Sequence, residues 1–266
     1  MDTNPVTLVT AFFDINRAER GDGRTIDEYK SWIKKTLQLN CNLYIVTEAK
    51  FLDFFKNNRP KEYNTFIKII EFKELHYYKY YDTMKNIIDT PEYKNRIAHP
   101  NRVECILPEY NIIQYSKFHC LKMGIDENPF HSEYFFWIDA GISRFFLDVN
   151  ISNNYPGQNA ITLFRNNPNK FFIQKRRDLE IFPIDENFIW KSDNLLYGTM
   201  FGGNIHVITM IANLIEGVLV KDMIYYNNVN NEQLALAMVW KKNPELFFLT
   251  NNYPGYHLIL FTLLSR

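Results

Sequence analysis

The sequence predicts an α/β protein: one mostly parallel mixed sheet flanked by helices, as a single domain over residues 1–266. Three observations carry that expectation. Short continuous runs of apolar, β-branched and aromatic residues, which suit strands buried on both faces, alternate with segments of helical periodicity. The chain opens on a strand–helix–strand pattern, the usual way to join two parallel strands. No repeat, low-complexity tract or linker divides the 266 residues, a length that supports one large core.

The first strand is expected over residues 6–13 (VTLVTAFF). Thr25 and Glu28 then have capping-box spacing, and Ile26, Tyr29, Ile33 and Leu37 recur at helical intervals to about Leu39. NLYIVT, at 42–47, is the second strand; 51–56 reads as a short helix and 66–72 as a third strand. Residues 75–102 are polar and Tyr-rich with weak periodicity, which suggests short helices and loop. Pro108 suits a first helical turn, and that helix should end near Met123, where Gly124 stops it. YFFWI, at 134–138, is a strongly apolar strand that ends in Asp139-Ala140-Gly141. Residues 160–164 and 171–174 are expected to be strands, 197–203 a glycine-rich turn, and 205–219 a helix. Asn230 can cap a helix over 232–240, and 245–250 is a late strand.

Composition narrows the function classes. Thirty Lys and Arg balance thirty Asp and Glu, so no basic face is available for sequence-independent nucleic-acid binding, although a local basic pocket remains open. The N-terminus lacks the basic region of a signal peptide, and the longest apolar stretch, 205–220, is interrupted and shorter than a membrane span. These features lead to the expectation of a cytoplasmic protein without a transmembrane segment. Three cysteines without CxxC spacing read as reduced, small apolar groups. There are only ten glycines, fewer than the average of roughly 7%, so a cluster of them is informative.

In an open α/β sheet, ligands sit beyond the carboxyl ends of the strands. That rule selects the end of the first strand (Thr10, Ala11, Phe12, Asp14, then Arg17), Asp139 with Gly141, and Gly198 to Gly203. Asp139 after five apolar residues can hold a hard divalent cation bridging phosphate oxygens, or cap a turn. Gly202 and Gly203 before a helix allow close backbone approach to a ligand, or a tight turn. Lys117, on an otherwise apolar helix face, either snorkels or reaches a phosphate. Glu232 and Gln233 either complement a helix N-terminus or project into the crevice to take a proton or hold a hydroxyl. His257 is a candidate metal ligand, and Lys175-Arg176-Arg177 reads as a solvated turn.

At these residues the sequence resembles the HtrL/YibB (WlaTC-like) family, found among bacterial surface-polysaccharide genes. The matching pieces are VTLVTAFFDINR, YSKFHCLKMGIDENPF, YFFWIDAGISRF and MFGGN, with NNEQLAL agreeing less tightly. That family is similar to nucleotide-sugar-dependent glycosyltransferases of the GT-A type, a Rossmann-like α/β fold that often places Asp-x-Asp at a central strand end to hold Mn²⁺ and the donor diphosphate. Carried over by position, the resemblance implies that Thr10, Ala11, Phe12 and Asp14 line the nucleoside pocket and Arg17 reaches phosphate. Asp139 takes the place of one metal-binding acid, Gly202 and Gly203 form the sugar and acceptor wall, and Glu232 is the acid near the reacting hydroxyl. Gly141 stands where the second acid would be, so His257 or a donor phosphate would have to complete Mn²⁺ or Mg²⁺ coordination.

The resulting expectation is a glycosyltransferase that moves a sugar from a nucleotide-diphosphate sugar to a glycan or lipid-linked acceptor in polysaccharide synthesis. Gly141 favours an alternative, a non-catalytic nucleotide- or glycan-binding module on the same fold. No Walker A pattern or kinase-like loop supports a phosphoryl-transfer enzyme.

Overall fold

Seven strands build the sheet, and their pairing decides where a ligand can enter. They are β1 (Val6–Phe12), β2 (Asn42–Thr47), β3 (Thr65–Ile69), β4 (Tyr134–Ile138), β5 (Phe171–Lys175), β6 (Leu196–Asn204) and β7 (Phe247–Thr250). In this computed structural model, which describes residues 4–146, 151, 153–191, 193–251 and 258–265, the strand order is β3-β2-β1-β4-β6-β5-β7. Every neighbouring pair is parallel except the two made by β6, which runs antiparallel to β4 and β5. The chain winds from β1 to β2 on one side and returns to place β4 on the other side of β1. Strand order therefore reverses between β1 and β4, and a crevice opens beyond their carboxyl ends.

All residues of β2 and β4 are buried, as continuous apolar runs require when helices cover both faces. The side chains alternate. Phe135 and Trp137 join Val9, Tyr44, Phe171 and Phe201 in one core layer, under the helices Pro108–Glu127, Ile205–Val218 and Glu232–Lys242. Tyr134, Phe136 and Ile138 join Leu8, Leu43, Ile45 and Phe172 in the other, under Ile26–Thr36, Gln158–Asn166 and Ile259–Leu264. The Thr25–Glu28 capping box is present, with both reciprocal hydrogen bonds. The three cysteines are free and buried.

Four local expectations are corrected. Residues 160–164 lie within the helix Gln158–Asn166: Ala160 and Phe164, four apart, are its buried face, and that spacing outweighs the β-branched Ile161 and Thr162 between them. Gly124 does not stop its helix, which continues to Glu127 and ends on left-handed Asn128. Its missing side chain instead lets the helix approach the sheet, since a Cβ there would lie 3.1 Å from Val9 Cγ2. The helix after Asn230 is capped by Asn231, whose side chain accepts from the Gln233 and Leu234 amides. Residues 197–203 are not a turn but most of β6.

That last correction moves Gly202 and Gly203. They pair with Phe136 and Phe135, towards the start of β4 and away from the crevice. A Cβ on Gly202 would overlap the Phe135 carbonyl and lie 2.7 Å from Phe136 Cα, and one on Gly203 would lie 2.6 Å from Val207 Cγ1. Both glycines serve close packing of β6, not a sugar or acceptor wall. Gly202→Ala is therefore expected to cost about 3 kcal/mol through overpacking, read by urea unfolding. Gly217→Ala, at a helical position with open space around it, should instead gain about 0.5–1 kcal/mol. Wild-type stability for Gly202→Ala would contradict the β4–β6 register.

Candidate active site

The crevice contains a cavity of about 260 Å³ beyond β1 and β4. Ala11, Phe12, Phe13 and Asp14 bring the end of β1 to its wall, and Trp137, Asp139, Ala140 and Gly141 bring the end of β4. The helix Pro108–Glu127 contributes Tyr110, Ile113, Gln114 and Lys117, spaced as one helical face. Tyr29 arrives from the helix capped by Thr25, Arg17 and Arg24 from the segment before it, and Arg144 from the turn after Gly141.

Lys117 neither snorkels nor projects freely towards a ligand. Its side chain is 2% exposed, and its ammonium faces three acceptors: Gly198 O at 2.9 Å, Glu232 Oε1 at 2.8 Å and Asp139 Oδ1 at 3.1 Å. Three donors thus meet three oxygens, with the Trp137 ring centroid 5.7 Å away. Burial works against the charge on Lys117, but Asp139 and Glu232 outweigh it and hold its pKa above the ordinary lysine value.

Asp139 is oriented through one oxygen. Oδ1 takes both the Lys117 ammonium and the Trp137 indole N–H, the latter at 2.7 Å, and the Asp139 amide donates to Thr199 O at 2.9 Å. The side chain remains 29% exposed at the cavity wall. Glu232 lies behind Lys117, fully buried and off that wall. Burial pushes its pKa upward, Lys117 opposes this, and Oε2 has no hydrogen-bond partner. Glu232 therefore does not reach the cavity as the acid near the reacting hydroxyl that the resemblance implied. It holds Lys117 in place, and Gly198 makes room for it, because a Cβ on Gly198 would collide with Glu232 Oε1.

The other candidates separate. Ala11, Phe12, Asp14, Arg17 and Gly141 line the cavity, whereas Thr10 is fully buried inside the sheet and Gln233 stands off the wall. Arg17 lends three donors to protein partners: Nε and Nη2 to Asp22 at 2.6 and 2.7 Å, and Nη1 to the Tyr29 hydroxyl at 2.6 Å. It also lies 4.8 Å from the Tyr110 ring centroid. Lys175 and Arg177 pair with Asp178 and Asp193, away from the cavity.

A divalent cation does not fit this donor set. Asp139 Oδ1 already faces an ammonium, and Asp14 is the other carboxylate on the wall. A Cβ on Gly141 would lie 3.2 Å from Trp32 Cε3, so an acidic side chain there would press on the indole. Among the described residues no three His, Cys, Asp or Glu side chains converge on a metal position. His257 lies outside the described residues.

The sequence matches the family described as "Bacterial protein of unknown function (HtrL_YibB)" over residues 4–264. The chain belongs to this family. No curated protein matches it. The fold is similar to the crystal structure of 4-diphosphocytidyl-2C-methyl-D-erythritolsynthase from Anaerococcus prevotii DSM 20548, at 11% identity over 96% of this chain and 92% of that one, with a TM-score of 0.41. Among the described residues no helix is long and apolar enough to cross a membrane.

In this member of the HtrL_YibB family, sequence reasoning missed Arg24, Tyr29, Tyr110 and Arg144. The 110, 113, 114, 117 spacing was the available signal for Tyr110, because it puts that ring on the same helix face as Lys117. Lys117→Met should lower stability by about 3–5 kcal/mol, because it leaves Glu232 buried without a counter-charge. The double variant Lys117→Met/Glu232→Gln should recover much of that loss in urea unfolding. Simple additivity of the two single changes would show that the pair does not interact.

Proposed function

We propose that the cavity is the active site of a glycosyltransferase using a nucleotide-diphosphate sugar. The observation that carries this reading is Asp139: a cavity-facing carboxylate at the strand-order reversal, with one oxygen held by Lys117 and Trp137. The half-buried rings of Tyr29 and Tyr110 suit stacking on a base or sugar ring, and the guanidiniums on the same lining suit a diphosphate. In the transfer, an acceptor hydroxyl oxygen bonds to the anomeric carbon while that carbon's bond to the diphosphate oxygen breaks. The bonding pair leaves with the diphosphate. The hydroxyl proton goes to Asp139, since Glu232 is shut off behind Lys117. A glycan or lipid-linked acceptor and polysaccharide synthesis belong to the same proposal and follow from the family resemblance; a cytoplasmic setting belongs to it on the ground of the N-terminal sequence and the short apolar stretches.

One second reading has specific support. Gly141 where an acid was expected, together with a buried Glu232, favours a module that binds nucleotide or glycan without turnover. Nucleotide release from UDP-, GDP- and dTDP-sugars, measured with and without Mn²⁺, separates the two. The enzyme reading expects slow release by the wild type and a loss of about 100-fold or more in Asp139→Asn, with unfolding temperature kept. Ligand-induced stabilisation without release would favour the module. Full activity in Asp139→Asn would remove Asp139 from the chemistry.

A further inference from the structure

The cavity lining gathers three guanidiniums, those of Arg17, Arg24 and Arg144, with Asp14 and Asp139 as the carboxylates on the same lining. Asp22 already gives both oxygens to Arg17, at 2.6 and 2.7 Å, and is 3.5 Å from Arg24 Nε. Arg144 has no carboxylate in ion-pair contact among the described residues. Its guanidinium lies 5.1 Å from the Trp32 ring centroid and 4.7 Å from that of Phe145. Those rings fix the plane of the fork without satisfying its donors. Burial first, and then the like charge of Arg24, lower the Arg144 pKa, and the negative charge of Asp139 opposes them only in part. Arg24 thus has only the 3.5 Å contact to an Asp22 already engaged by Arg17, and Arg144 has no carboxylate partner among the described residues, so the pair can still take an anion. Meanwhile Asp139 suits a metal poorly, because Lys117 already occupies its Oδ1 and Gly141 replaces a second acid.

We infer that Arg24 and Arg144 form a diphosphate-binding fork that takes the place of a divalent cation in holding the donor. This rests on the proposed glycosyltransferase reading and specifies how its ligand is held. A diphosphate offers oxygens on two phosphorus atoms, which two guanidinium forks can each bind in bidentate fashion. The anion relieves the Arg24–Arg144 repulsion, and the negative charge that a leaving diphosphate acquires falls beside cations already in position. Arg17 contributes charge from behind, through a guanidinium held by Asp22 and Tyr29. Asp139 is left to face the sugar and acceptor end.

Isothermal titration of the full chain with inorganic pyrophosphate and with UDP, first in EDTA and then in Mn²⁺, tests this. Binding in EDTA is expected within about twofold of that in Mn²⁺, weakened about tenfold by Arg24→Gln and by Arg144→Gln. Arg24 is 40% exposed, so Arg24→Gln leaves packing intact and gives a clean reading even if Arg144→Gln loosens the fold. Rising salt should weaken binding in the wild type more than in either variant. Binding that requires Mn²⁺, no binding in either buffer, or wild-type affinity in both variants overturns the inference. Release assays on the same protein keep the two claims apart. Pyrophosphate and UDP bound in EDTA with no sugar released from any nucleotide sugar leaves the fork standing and removes the transferase. Sugar release that depends strictly on Mn²⁺ does the reverse.

Discussion

A lysine ammonium taken out of water must find oxygens for all three of its protons, or it costs several kcal/mol. Lys117 finds them on three different elements: Gly198 in β6, Asp139 just past β4, and Glu232 at the start of the helix Glu232–Lys242. Its own helix, Pro108–Glu127, is the fourth element tied to that point. Only the helix Pro108–Glu127 and β4 are consecutive elements; β6 and the helix Glu232–Lys242 lie far along the chain, so the contact forms only when the centre of the sheet is in place. Gly198 is part of the same requirement, because any larger residue would displace Glu232 Oε1. One buried cation thus ties the paired strands β4 and β6 to two helices.

The working face of the cavity follows from that anchor. With Oδ1 of Asp139 held by Lys117 and the Trp137 indole, the carboxylate has a defined orientation beside the cavity instead of a free rotamer. Trp137 then has its N–H satisfied while its ring stays in the wall. Elsewhere on the lining, Asp22 holds Arg17 through both oxygens and makes only a 3.5 Å contact with Arg24, while Arg144 has no ion pair among the described residues. The cavity therefore combines a carboxylate organised by a lysine with guanidiniums, one of which is held by an aspartate.

Much of the frame was legible in the sequence, since its cues are local. The runs that became β1, β2 and β4 are continuously apolar, the Thr25–Glu28 box caps its helix, and Asp139 stands at a strand end. What could not be read depends on partners far along the chain. Gly202 and Gly203 look the same in a turn and in a strand packed against Phe135 and Phe136, and only the antiparallel insertion of β6 decides between them. Glu232 at a helix start looks equally suited to solvent, to a substrate or to a buried lysine; its partner Lys117 lies 115 residues away. Arg144 carries no local pattern, and its character comes from Trp32 beneath it and Arg24 beside it.

The most direct test of this account is a crystal structure of the full chain with UDP, grown in EDTA and again with Mn²⁺. The account predicts the same pose in both: diphosphate oxygens on the Arg24 and Arg144 guanidiniums, with Lys117 still holding Asp139 Oδ1. UDP bound away from the β1–β4 crevice, or a cation on Asp139 with Lys117 displaced, would contradict it.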